Sequence, residues 1–169
     1  NGYVGMVDRK YFDEFLRTRA EKAGAHRFRG TFLKITRNSE TNIATVVFKD
    51  KKTLKEVKLK TKFIIGADGA RSDVARAEVP GGKSIPYVIA YHEIIQAPKD
   101  GLYDPERCDV IYDGNISPDF YGWVFPHGKL ASVGMGTGRE GFDLKRATYE
   151  LRQSAGLIDC ETVRREGAP

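Results

Sequence analysis

The run KFIIGADGARSDVARAEV, residues 62–79, decides what kind of fold this chain can have. Phe63, Ile64 and Ile65 are three apolar residues in a row, and Gly66 stops them. Asp68 and Gly69 follow, and Ser72 or Asp73 is placed to open a short helix. A strand without polar alternation is what a parallel sheet buried on both faces requires. The loop beyond the carboxyl end of such a strand is where α/β sheets bind ligands. Gly66 and Gly69 let the backbone turn sharply and come close to a bulky group, with only Ala67 and Asp68 between them. Asp68 can accept a hydrogen bond from a ribose hydroxyl, and N–H groups at the following helix start can face a phosphate. The same residues also read as a plain strand–turn–helix with an aspartate cap. The apolar strand before them favours a nucleotide cofactor at Gly66, Ala67, Asp68 and Gly69.

Upstream, residues 8–24 (DRKYFDEFLRTRAEKAG) have helical spacing, with Tyr11, Phe12, Phe15, Leu16, Ala20 and Ala23 on one face. Asp8 can cap the start, and Gly24 can end the helix in the left-handed conformation. Arg9 stands at the helix start; it can reach a pyrophosphate or pair on the surface. Residues 26–65 alternate like strands, with turns at RNSETN and KDKKT. Seven lysines between Lys49 and Lys62 alternate in part with Val57 and Leu59, which suits a half-exposed hairpin. A phosphate-binding surface is the other reading, but no nucleic-acid motif accompanies the charge, and no nucleic-acid partner is expected.

Downstream, PGGKS (80–84) marks the expected boundary between a domain of residues 1–82 and one of residues 83–169. Four strands are expected beyond it, at 87–95, 108–112, 121–126 and 130–136. Asp143 then caps a last helix with Leu144, Ala147, Leu151 and Ala155 on one face.

The stretch YGWVFPHGKLASVGMG (121–136) carries the second candidate site. Residues two apart on a strand share a face, so Tyr121, Trp123 and Phe125 form one aromatic wall. Pro126 to Lys129 supply a turn, and Gly134 and Gly136 lie on the return strand. Missing side chains beside a wall of rings leave a slot for a flat ring or an apolar chain. A hairpin packed into its own core is the alternative. GTGREG (136–141) fits a dinucleotide fingerprint in letters. The expected N-cap at Asp143 starts the helix after the last glycine, so this motif reads as a plain connection.

The bulk numbers fit a globular protein: 40% hydrophobic and 30% charged residues, net charge +5 and mean hydropathy −0.46. No run is apolar enough for a membrane span, and residues 1–20 lack the apolar region of a signal peptide. There is no initiator Met, so both ends read as cut from something longer. Cys108 and Cys160 form no CxxC pair and the three histidines are scattered. No metal site is expected, and a reducing cytoplasm is the default.

Taken together, the helix at 8–25 and IIGADGARSDVAR (64–76) resemble the glutathione-reductase-type FAD proteins of the aromatic-hydroxylase branch. Residues 121–136 resemble the signature of the geranylgeranyl reductase family, Y-x-W-x-F-P, seven residues, then G-x-G, at every fixed position. YDPERCDVIYDGNISPDFYGWVFPHG (103–128) and IDCETVRREGAP (158–169) resemble its (bacterio)chlorophyll branch. The resemblance covers essentially the whole chain. It implies an α/β fold of α+β character: part of an FAD-binding domain, then an antiparallel-sheet substrate domain. It also implies a central portion, because the family's strand–GxGxxG–helix and second Gly-Asp motif are not among these residues. This piece alone is therefore not expected to turn over.

The implied activity is flavin-dependent reduction of prenyl double bonds, taking geranylgeranyl to phytyl with NADPH. The acceptor would be geranylgeranyl diphosphate or the geranylgeranyl ester of (bacterio)chlorophyll. Arg9, Gly66, Ala67, Asp68 and Gly69 are then implied for FAD. Tyr121, Trp123, Phe125, Pro126, Gly134 and Gly136 are implied for substrate, with Tyr121 a candidate proton donor. The partners implied are the prenyl or tetrapyrrole substrate, the remaining parts of the same polypeptide, and a peripheral contact with the photosynthetic membrane through a lipidic substrate. A flavin hydroxylase of the same fold and a non-enzymatic basic binding domain are the rival readings.

Overall fold

In the computed structural model, which describes residues 3, 5–101 and 103–169, the chain divides into two units, Val7–Ile85 and one built on Pro86–Pro169. The first begins with helix α1 (Arg9–Lys22). Asp8 caps it, accepting from the Lys10 N–H at 3.0 Å, and Gly24 takes φ +97° just past its end. The expected apolar face forms but is not covered: Tyr11, Phe12, Phe15 and Leu16 are all exposed.

A three-stranded antiparallel meander follows, in the order β1 (Gly30–Arg37), β2 (Ala44–Asp50), β3 (Glu56–Thr61). Its two turns are built alike. Asn38 Oδ1 accepts from the N–H groups of Glu40 and Thr41, and Asp50 Oδ1 accepts from those of Lys52 and Thr53. In each, the short polar side chain stands in for a backbone turn. Val57 and Leu59 pair with Phe48 and Val46 while Lys58 and Lys60 point to water, the half-exposed strand that the alternation implied.

The expected strand at Phe63–Ile65 is not there. These residues pair with no strand among the described residues, and Phe63 and Ile65 are 84% and 91% exposed. A three-residue strand is held only by its neighbours' ladders, and all the ladders of both sheets are antiparallel ones formed elsewhere. The chain passes instead through an open bend into helix α2 (Asp73–Glu78), which Ser72 caps. An ion pair from Arg37 on β1 to Glu78 ties α2 to the meander.

The second unit is a five-stranded antiparallel sheet in the order β5-β6-β7-β4-β8. Its strands are β4 (Ile89–Gln96), β5 (Asp109–Ile111), β6 (Gly122–His127), β7 (Leu130–Thr137) and β8 (Thr162–Ala168). Helix α3 (Leu144–Ser154), capped by Asp143, covers one face. Ile95, Val124, Val133 and Met135 from the sheet meet Ala147 and Leu151 from the helix and Leu157 beyond it. The expected four strands are present. β8 was not anticipated, because TVRREGA shows too little apolar alternation to announce a strand.

A buried Arg152 locks α3 to the sheet. Its guanidinium donates to the carbonyls of Leu157, Ile158 and Cys160, to Thr162 Oγ1, and to Glu93 Oε2 at 2.5 Å. GTGREG is a connection, as expected: Gly136 and Thr137 belong to β7, and α3 starts after Asp143. No helix of the described residues is long and apolar enough to cross a membrane.

Candidate functional site

The bend at residues 66–69 is made by its own polar groups. Asp68 accepts from the Ser72 hydroxyl on one oxygen and from the Asp73 and Val74 N–H groups on the other, at 2.8 and 3.2 Å. The Ser72 hydroxyl oxygen in turn accepts from the Ala75 N–H at 2.9 Å. The Ser72 hydroxyl, and then these backbone donors, hold the Asp68 carboxyl below the usual carboxylate range.

This corrects one expectation. The first N–H groups of α2 are taken by Asp68 and Ser72, so they are not free to face a phosphate. What remains open is the backbone around Gly69, which has φ +84° and nothing within 4 Å of where a Cβ would stand. Asp68 is exposed and keeps room for another donor. Gly66 is different: a Cβ there would lie 3.0 Å from Val74, so its absence serves the packing of the bend against α2. A cavity of about 180 Å³ beside it is lined by Arg37, Ile64, Ser72, Val74 and Glu78, less than a whole small-molecule site needs. Arg9 lies elsewhere in this unit. It makes a bidentate pair with Asp13, at 2.7 and 2.9 Å, and is 78% exposed. That is the surface-pair reading, and no hydrogen bond joins Arg9 to the bend among the described residues.

The aromatic wall forms as expected. On β6, Trp123 is stacked on Phe125 and meets Tyr121 edge-on, each at 6.1 Å between centroids. All three rings are half-buried and stand on the face opposite α3. The wall is longer than anticipated: Phe120 stacks on Tyr121 at 4.1 Å, and Tyr112 meets it edge-on at 5.9 Å. Buried Ser117 anchors the approach, donating to the Gly136 carbonyl and accepting from the Phe120 N–H. Asp119 holds the end of β7 through the Thr137 hydroxyl and the Gly138 N–H.

Three details depart from expectation. Pro126 is buried and alternates onto the α3 side with Val124, so it is not part of the wall. The turn is only Gly128-Lys129, with Gly128 at φ +65°. The glycines also leave no empty slot. A Cβ on Gly134 would lie 2.5 Å from the Tyr91 carbonyl and closer still to the Cβ of His92; one on Gly136 would meet Phe120 at 2.9 Å and Val88 at 3.0 Å. Close packing of neighbouring strands and of Phe120 accounts for both bare positions. The site is an open, ring-covered sheet face.

Three polar residues on that face escaped the sequence reading. Trp123 Nε1 donates to Ser132 Oγ at 3.0 Å, Ser132 Oγ lies 2.8 Å from His92 Nδ1, and His92 Nε2 lies 3.0 Å from Glu166 Oε2. The two-residue turn alone sets Ser132 opposite Phe125, so Ser132 was within reach of a register argument. His92 and Glu166 arrive through pairings distant in sequence.

Residues 2–84 match the FAD binding domain family. With the mixed α/β architecture, that match gives the class of the first part of the chain: a portion of a domain of the FAD-binding type. The whole chain is 60% identical to geranylgeranyl diphosphate reductase of Rhodobacter capsulatus, covering 42% of that protein, and 99% of it aligns at 37% identity with the chloroplastic enzyme of Oryza sativa, covering 38%. A geranylgeranyl bacteriochlorophyll reductase-like protein from Thermoplasma acidophilum shares the fold, with TM-score 0.79 at 24% identity over 95% of this chain and 41% of that one. The chain is similar along its whole length to geranylgeranyl diphosphate reductases, and it spans about two-fifths of the length of the curated relatives it matches.

Proposed function

We propose that this chain supplies the prenyl-binding face and part of the flavin site of an NADPH-using reductase that saturates the double bonds of a geranylgeranyl group, giving phytyl. Geranylgeranyl diphosphate and the geranylgeranyl ester of (bacterio)chlorophyll are the acceptors that suit it. The observation that carries this reading is the ring-covered sheet face of Tyr112, Phe120, Tyr121, Trp123 and Phe125. An isolated alkene offers no charge to grip, so it must be placed by apolar surface. Burying each methylene is worth roughly 0.8 kcal/mol, and a row of rings lets a long chain gather that along its length.

The open backbone at Gly69 and the exposed Asp68 fit the close approach of a flavin nucleotide; the start of α2 does not fit its phosphates. The flavin, when bound, supplies the hydride. The residues of this chain hold the alkene in line, exclude water with their rings and provide a route for a proton. Tyr121, between Trp123 and the rings of Phe120 and Tyr112, is the candidate donor, and its hydroxyl has no protein partner among the described residues. A location at the photosynthetic membrane surface follows from the lipidic substrate.

In the full-length protein, Trp123→Ala is expected to lower kcat/KM for prenyl reduction about 10- to 100-fold while leaving the bound flavin spectrum unchanged. Loss of flavin together with activity would move Trp123 to the cofactor site and overturn the assignment.

A further inference from the structure

On the ring face, five side chains from four strands join end to end. Trp123 Nε1 (β6) donates to Ser132 Oγ (β7), which meets His92 Nδ1 (β4); His92 Nε2 meets Glu166 Oε2 (β8), and Glu166 Oε1 forms an ion pair with Arg164 Nε at 2.6 Å. His92 also covers Gly134 and tilts against Trp123, with 6.1 Å between ring centroids.

The chemistry of each atom sets the direction of the chain. A carboxylate only accepts, so His92 Nε2 carries a hydrogen. In the neutral ring Nδ1 is then a bare acceptor, and the Ser132 hydroxyl donates to it. Ser132 keeps its oxygen for the indole N–H. A second proton on the imidazole turns Nδ1 into a donor. Ser132 must then accept from both rings, and its own hydrogen turns away from His92, outward to the open face.

A Ser–His–Glu order also occurs in hydrolytic triads. Here Ser132 sits mid-strand, with β6 and β4 paired on its two sides. Those ladders engage the neighbouring backbone N–H groups, leaving none to hold an oxyanion. The charged groups facing His92 are Glu166 and Arg164 on β8; Ser132 and Trp123, on β7 and β6, are uncharged. Tyr91, Glu93 and Arg165 alternate onto the other face.

We propose that His92 is the positioning residue of this face: through Ser132 it fixes the Trp123 indole, and its protonation turns the Ser132 hydroxyl toward a bound group. The role assigned to that bound group rests on the prenyl-binding reading above, but the hydrogen-bond switch does not. It is tested with no lipid or flavin added, so its failure and that of the prenyl reading are separable.

Nitrogen-15 NMR of the neutral imidazole is expected to show hydrogen on Nε2 and none on Nδ1; the reverse tautomer would overturn the proposal. Trp123 emission, taken as the difference between wild type and Trp123→Phe, is expected to change when the His92 ring is protonated by lowering the pH. The change should vanish in His92→Asn and shrink at least twofold in Ser132→Ala. A flat wild-type curve, or a transition that survives His92→Asn, sinks the idea. Should His92→Asn fail a circular-dichroism check of folding, the tautomer of the wild-type protein decides by itself.

Discussion

At the scale of single residues, Gly134 shows how a missing methyl can be misread. A glycine opposite a tryptophan suggests room for a ligand, yet the space is filled by His92 and by the backbone of β4. Gly134→Ala is therefore expected to destabilise the protein by about 1–3 kcal/mol through overpacking, read as a lower urea midpoint, because the nearest atoms are the His92 Cβ and the backbone of Tyr91 and His92, which are fixed to β4 and cannot swing aside. An unchanged midpoint would mean that β4 moves more freely than its ladders imply. The shared face of Tyr121, Trp123 and Phe125 was legible because strand alternation is local. The occupant of the glycine space was not, because it comes from residue 92 through a pairing that no neighbouring letters encode. Asp68 gives the converse case. The plain reading of that residue as a cap was available from sequence, and the structure has it holding Ser72 and the first turn of α2.

At the scale of elements, Arg152 and Glu93 join α3, β4 and the chain leading into β8. Burial is the largest single influence on Glu93 and pushes its carboxyl up; hydrogen bonds from Arg152, Tyr91 and Arg165 together outweigh it and hold the group below the usual glutamate range. A carboxyl depressed by folding contributes stability that is present above its unfolded value, about 4.3, and is lost as pH falls through the folded value. Arg152→Met removes the strongest of these hydrogen bonds, so burial regains ground and the onset of acid destabilisation should move to higher pH. The variant should also lose about 3 kcal/mol at neutral pH. Urea titrations from pH 7 downward test both; an onset that stays in place would show that Arg165 and Tyr91 suffice for Glu93. Helices α1 and α3 were readable from their spacing and their aspartate caps, and the hairpin from Gly128. β8 was hidden because an edge strand with two arginines and a glutamate pairs through its backbone, which leaves no pattern in the side chains.

At the scale of the whole molecule, the two units keep their polar and apolar surfaces very differently. The Pro86–Pro169 unit has a helix over one sheet face and a continuous core. In the Val7–Ile85 unit the apolar face of α1 and the Phe63–Ile65 run are exposed. The apolar run was expected to form a strand buried in a parallel sheet, and among the described residues it pairs with no strand, because three apolar residues in a row fix no pairing partner. That segment has a practical consequence. Two large side chains on a bare stretch of backbone form an adhesive tip, able to recruit the same tip of another copy. The 169-residue polypeptide made alone is expected to clump as its concentration rises, seen as growing particle size in light scattering, and Ile65→Lys should keep it dispersed. Equal clumping by that variant would shift the stickiness to α1.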